Sequence, residues 1–208
     1  MGRNRVSATI NGWFQGTFNP TGRIIVYGRA GNDFLSITPI ISLPAFLYGG
    51  AGDDYLIAGS SGGVLVGGAG NNILVGAAGR NVLVGGKGSG QRYDGVQVYG
   101  TQGDNVVIGG TTDYDTNDLA LANVLAEWSR TDADYQTRVA HLRGPGSPSD
   151  GRKNGNFFLN TATVHDNGTR DRLFGGSGQN WYLAHTGGAS SDSIFGRKLG
   201  AELLDEIV

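Results

Sequence analysis

Glycine returns in nine-residue steps through much of this chain, and that spacing limits the possible folds more than any other feature. Five units follow one another from Gly49: GGAGDDYLI, AGSSGGVLV, GGAGNNILV, GAAGRNVLV and a decaying GGKGSGQRY. An earlier unit, GRAGNDFLS, begins at Gly28, and GTQGDNVVI begins at Gly100 after a six-residue insertion. The pattern returns as DNGTRDRLF from Asp166, GGSGQNWYL from Gly175 and GGASSDSIF from Gly187. Glycine at the first, second and fourth positions permits left-handed or tightly turned backbone that a Cβ obstructs. The eighth position is apolar in Leu35, Leu56, Leu65, Leu74, Leu83 and Val107, so each unit turns one side chain toward a core. Flexible linkers do not place leucine every ninth residue, and the chain reads as one small unit repeated.

These units resemble the GGxGxDxUx nonapeptides of the repeats-in-toxin (RTX), or hemolysin-type calcium-binding, family. The resemblance implies that six residues make a turn and three a short strand, with two units forming one coil. The expected fold is all-β dominated: a right-handed parallel β-roll or β-solenoid with an inserted helical hairpin and an N-terminal β-hairpin cap. It also implies calcium as cofactor, held between turns on the same edge by backbone carbonyls and sixth-position aspartates.

The sixth positions read Asp33, Asp54, Gly63, Asn72, Asn81, Gly90, Asn105, Asp171, Asn180 and Asp192, so four of ten units keep the carboxylate. Calcium takes six to eight oxygens, several of them anionic, and an asparagine amide brings an oxygen without charge. Most turns are therefore expected to bind calcium weakly or not at all, with asparagine shaping turns and stacking into ladders. Asp33 with Asp54, and Asp171 with Asp192, each stand 21 residues apart, which is two units plus a three-residue insertion. That spacing puts each pair on one edge, either as a residual calcium site or as turn aspartates capping backbone N–H groups.

The seventh and ninth positions flank the inward residue and face outward by strand alternation. Tyr55, Ile57, Val64, Val66, Ile73, Val75, Val82 and Val84 occupy them, so the outer faces are apolar and are expected to be interfaces. One cover comes from the chain itself. Leu121, Val124, Leu125 and Trp128, then Tyr135, Val139 and Leu142, make helical stripes, with Thr131 to Asp134 read as a capping box. The expected organisation is an N-terminal hairpin cap over 1–27, degenerate repeats over 28–110, a helical hairpin over 111–142, a flexible loop over 143–155, and further coils with a tail over 156–208. The segments TNDLALANVLAEW, TRVAHL, NFFLNTATVHDNG and GRKLGAELLDEIV resemble the terminal module of long secreted repeat and adhesin-like proteins of planctomycete-type bacteria.

Sixteen basic and eighteen acidic side chains leave a net charge of −2, with no basic footprint for nucleic acid and no polybasic membrane patch. There is no cysteine, hence neither disulfide nor thiolate metal site, and no apolar run reaches the length of a membrane span. His141, His165 and His185 stand in no metal or nucleophile motif, and no GxxxxGK[ST] loop is present. The expected function is a secreted or cell-surface, non-enzymatic structural module. It would self-associate into an oligomer or filament, or dock into a larger host protein. The alternative is the calcium-dependent folding and type I secretion tail of a larger exported enzyme or adhesin, with LLDEIV in the address segment.

Overall fold

A computed structural model describes residues 5–10, 13–88, 97–100, 102–147 and 150–208. The turn expected at Asn11 and Gly12, and Gly90 and Tyr93 of the decaying unit, lie outside the described residues.

In chain order the strands before the helices are β1 (Val6–Ile10), β2 (Trp13–Phe18), β3 (Ile24–Ala30), β4 (Phe34–Ser36), β5 (Ala45–Ala51), β6 (Tyr55–Ile57), β7 (Gly63–Ala69), β8 (Ile73–Val75), β9 (Asn81–Val84), β10 (Gln97–Tyr99), β11 (Asn105–Ile108) and β12 (Gly110–Thr112). The helices α1 (Asp118–Ser129) and α2 (Tyr135–Arg143) follow, then β13 (Val164–Asp166), β14 (Arg172–Phe174), β15 (Trp181–Ala184), β16 (Ser193–Phe195) and β17 (Leu203–Glu206). The described residues are thus mostly β with two helices. From β3 onward the strands alternate between two parallel sheets. The first runs β17-β15-β11-β9-β7-β5-β3 and the second β16-β14-β10-β8-β6-β4.

The eighth-position side chains meet between these sheets. Leu56, Leu65, Leu74, Leu83 and Val107 are fully buried in one apolar cluster, and Leu35 packs half-buried at its end. A chain of such short strands is stable because each three- or four-residue piece inside a sheet is paired on both sides and buries its central residue. Glycine makes the spacing possible: a Cβ on Gly68 would press on the carbonyl of Gly50, and one on Gly70 on that of Gly52.

The single long excursion runs from β11 to β14. Its two ends lie side by side, since β12 pairs antiparallel with β13, and between them α1 and α2 return over the seven-stranded sheet. Leu121, Val124, Trp128, Val139 and Leu142 join Phe46, Val64, Val82, Val106 and Trp181 in a second apolar cluster. Asn117 caps α1 by accepting from the Ala120 N–H. Asp118, in the first turn, accepts from the hydroxyls of Tyr27, at 2.9 Å, and Tyr48, whose rings stack at 4.9 Å.

Several expectations change here. GRIIVY belongs to β3, inside the seven-stranded sheet; the hairpin is β1 with β2 alone. Gln97–Tyr99, from the six-residue insertion, pair in register with Ile73–Val75. Asp134 is itself the N-cap of α2, accepting from the Thr137 N–H, so Thr131 to Asp134 forms no capping box. In the segment NFFLNTATVHDNG, Leu159 packs into the helix-side cluster and a strand begins at Val164. LLDE forms β17. Finally, Val64, Val66, Val82 and Val84 are buried in the cluster that includes the helices, so they are not a docking surface.

Candidate metal-binding edge

The sixth position of each unit lies where a turn enters a strand, and its side chain turns back into the turn. On the edge leading into the six-stranded sheet these residues are Asp33, Asp54, Asn72, Asp171 and Asp192; on the opposite edge they are Asn81, Asn105 and Asn180. They form rungs. The Asp33 N–H donates to Asp54 Oδ1 at 2.8 Å, and the Asp54 N–H to Asn72 Oδ1 at 3.0 Å. On the other edge the Asn105 N–H donates to Asn180 Oδ1 at 3.1 Å and the Asn180 N–H to Glu202 Oε1 at 3.2 Å. Asn32, Asp53 and Asn71 build a parallel, more exposed ladder at the fifth position: the Asp53 N–H donates to Asn32 Oδ1 and the Asn71 N–H to Asp53 Oδ1.

The second atom of each sixth-position side chain decides what the turn needs. Where the residue is asparagine, Nδ2 donates to the carbonyls of its own turn: Asn81 to Ala77 and Gly79, Asn105 to Gly103, Asn180 to Gly178. Asn105 Nδ2 also reaches Gly175 O of the next coil at 3.3 Å and Asn180 Oδ1 at 2.9 Å. The amide hydrogens occupy the centre of the turn and reach the carbonyls around them without an ion, although Asn81 Oδ1 is itself buried without a partner.

Where the residue is aspartate, no hydrogen is available. Asp33 Oδ2 and Asp54 Oδ2 are buried and without a hydrogen-bond partner, and Asp54 is only 2% exposed. The carboxylate oxygens take the place that the amide nitrogen takes elsewhere. A Cβ built on Gly67 would meet Gly85 O and Asn72 Nδ2; one on Gly49 meets Gly67 O and Asp54 Oδ2; one on Gly28 meets Gly49 O and Asp33 Oδ2. Acceptor therefore faces acceptor at two successive turns, an arrangement that a cation resolves and an uncharged interior does not. Burial, with the charge of Asp33 adding to it, raises the Asp54 pKa, as expected for a carboxylate held without a counter-ion. The donor set, carboxylate and carbonyl oxygens framed by glycines, fits a hard divalent cation such as calcium.

Asp171 and Asp192 are also brought together, but their oxygens already have donors. Asp171 accepts from Thr169 Oγ1 and Asn167 Nδ2, and Asp192 from the N–H groups of Asp171 and His185. Burial and the neighbouring Asp171 push the Asp192 carboxyl up to about 8.

Among the described residues no group of three or more His, Asp or Glu gathers at one point, so a metal here would lean on main-chain carbonyls. The histidines take structural roles. His141 Nδ1 lies 2.8 Å from the buried Glu127, and His165 Nε2 lies 2.9 Å from Asp113 rather than pairing with Asp166. Glu202, the last rung of its edge, escaped the nonapeptide spacing because its turn, GRKLGAE, carries one glycine pattern too few to align.

Tyr55, Ile57, Ile73 and Val75 lie on the outer face of the six-stranded sheet, where they are half-buried or exposed. Aromatic rings run along this face: Phe34 stacks on Tyr55 at 5.5 Å, and Tyr99, Phe174 and Phe195 stack at 4.6 Å steps. No helix among the described residues is long and apolar enough to cross a membrane.

Residues 46–65 and 57–91 match the family model of the RTX calcium-binding nonapeptide repeat (4 copies). The match supports the RTX character of the central units and calcium as the ion that repeats of this kind bind. No curated protein and no solved structure matches the chain.

Proposed function

We propose that this chain is an exported, non-enzymatic structural module, a right-handed β-roll that binds calcium at its Asp33–Asp54 edge and docks through the outer face of the six-stranded sheet. The match to the RTX repeat is the premise, since repeats of that family are typical of exported proteins and are typically non-enzymatic. The observation that carries the reading is the pair of buried, unpartnered Oδ2 atoms at the two aspartate turns, standing where asparagine turns place a donor.

The protein's part in binding is to hold Asp33, Asp54 and the carbonyls of Gly49 and Gly67 in a turn too tight for any side chain at Gly28 or Gly49. Calcium supplies positive charge between oxygens that otherwise repel. The remaining rungs keep the fold together without it, which limits the module to very few ions.

Calorimetry of chelator-stripped protein against calcium is expected to give about one site and a rise in melting temperature. Asp54→Asn is expected to abolish both and to raise the ion-free stability, because its amide hydrogens replace the ion. Absence of heat and of any melting shift in the parent chain overturns the calcium reading.

Docking is supported by the aromatic rows, an apolar surface that neither helix covers. The occupant proposed is a second copy of the chain, facing the same sheet. Sedimentation of Phe174→Lys against the parent chain tests it: the variant is expected to lose at least about tenfold in association constant, the effect of one badly placed charge in an apolar contact. Equal sedimentation of the two, or a parent chain that stays single at high concentration, overturns it.

A further inference from the structure

Arg29 has φ 82° and is the sole side-chain-bearing residue with positive φ among the described residues. It holds the second position of its unit, where Gly50, Gly68 and Gly86 adopt 109°, 90° and 94°. Those glycines have a reason to lack a Cβ. One added to Gly50 would press on the carbonyl of Arg29, one on Gly68 on that of Gly50, and one on Gly86 on that of Gly68. Each such Cβ would point at the coil that comes before it. Arg29 pairs in register with Gly50 and shares its backbone region, so its own Cβ points the same way, off the free edge of β3.

The edge it overlooks is otherwise suited to one more coil. Among the described residues β3 and β4 end their respective sheets, each paired on one side. The core side chains there, Val26 and Leu35, are only partly buried. At the far end β17 and β16 end the same two sheets, and Leu204 and Ile194 are likewise partly buried. Val26, Leu47, Leu65, Leu83, Val107, Tyr182 and Leu204 form one continuous column of register partners, so both ends offer the same cross-section. A copy placed with Leu204 and Ile194 against Val26 and Leu35 extends both sheets without a break. Such a contact is head-to-tail and does not close, so it grows into fibres.

We propose that the N-terminal edge is a pairing surface for the C-terminal edge of a second copy of this chain, and that the Cβ of Arg29 holds it shut. The obstruction is the same close approach that requires glycine at positions 50, 68 and 86, now directed at the incoming carbonyl. This end-on contact is separate from the docking face proposed above. The charge and length of arginine are secondary, and only the Cβ is needed.

Three chains distinguish these causes: the parent, Arg29→Gly and Arg29→Ala, compared by sedimentation over a concentration series. Arg29→Gly is expected to show a weight-average mass at least about twofold above the parent and still rising at the highest concentration, as an open-ended contact requires. Arg29→Ala, which keeps the Cβ, is expected to match the parent. Sedimentation of Arg29→Gly identical to the parent overturns the proposal, and so does an Arg29→Ala that associates as strongly as Arg29→Gly. Failure of face-to-face docking changes the baseline of all three chains and leaves this comparison intact.

Discussion

Replacing Asn105 by aspartate is expected to destabilise the ion-free fold by about 3–5 kcal/mol, the range for an uncompensated buried charge. Asn105 is fully buried. Its Oδ1 accepts from Asn81 Nδ2 at 2.9 Å, which a carboxylate can also do. Its Nδ2 donates to Gly103 O, Gly175 O and Asn180 Oδ1, which a carboxylate cannot. The variant would set a buried negative charge against three oxygens. Urea unfolding in chelator measures the loss, and an unchanged midpoint would show that the ladder contributes little. The same substitution at Asn72 stands beside Asp54, so its loss is expected to be recovered by calcium.

Trp128→Ala is expected to cost about 3–5 kcal/mol, the range for removing a large buried aromatic ring. Trp128 is fully buried between α1 and the seven-stranded sheet. Its Nε1–H donates to Asp104 O at 3.0 Å, the Arg138 guanidinium lies 4.9 Å above the ring, and Tyr135 meets it edge-on at 6.0 Å. The ring therefore joins a turn of the repeats to both helices. Arg138 also reaches Asp104 Oδ2 at 3.0 Å, so the guanidinium would keep its ion pair but lose the aromatic surface it lies on. Thermal unfolding with an apolar dye present checks this: a lower midpoint and dye binding before unfolding are expected, because the helices loosen first. Trp128→Phe should recover most of the loss.

The nonapeptide spacing made the two-sheet core legible, because glycine and leucine carry their geometry locally. Leu56, Leu65, Leu74 and Leu83 could be assigned inward without coordinates, and they are fully buried. The helical stripes were legible for the same reason, and Leu121, Val124 and Trp128 are buried together. Coils that depart from the glycine pattern were not legible. Phe46, Leu47 and Tyr48 of β5 follow a proline rather than a turn glycine, and Gln97–Tyr99 follow the six-residue insertion. Their place is set by pairing with neighbours far away in sequence. The candidate ion edge was half legible. The 21-residue spacing brought Asp33 to Asp54 and Asp171 to Asp192 alike, but only coordinates separate oxygens without donors from oxygens with them. Asn167 and Thr169, which supply donors to Asp171, sit where the pattern shows merely a degenerate turn.

The rungs have a sense of direction. Asp33, Asp54, Asn105, Asp171 and Asn180 each give their main-chain hydrogen to a side chain of the coil that follows, and none of these donations runs backwards. At the tail the series stops cleanly: the Asp192 N–H turns to His185 O and the Glu202 N–H to Lys198 O. The fifth-position ladder has the opposite sense, since the Asp53, Asn71 and Gln179 N–H groups donate to side chains of the coil before. Neighbouring coils are thus laced in both directions at adjacent positions, and each leans on its predecessor for one amide and on its successor for the next.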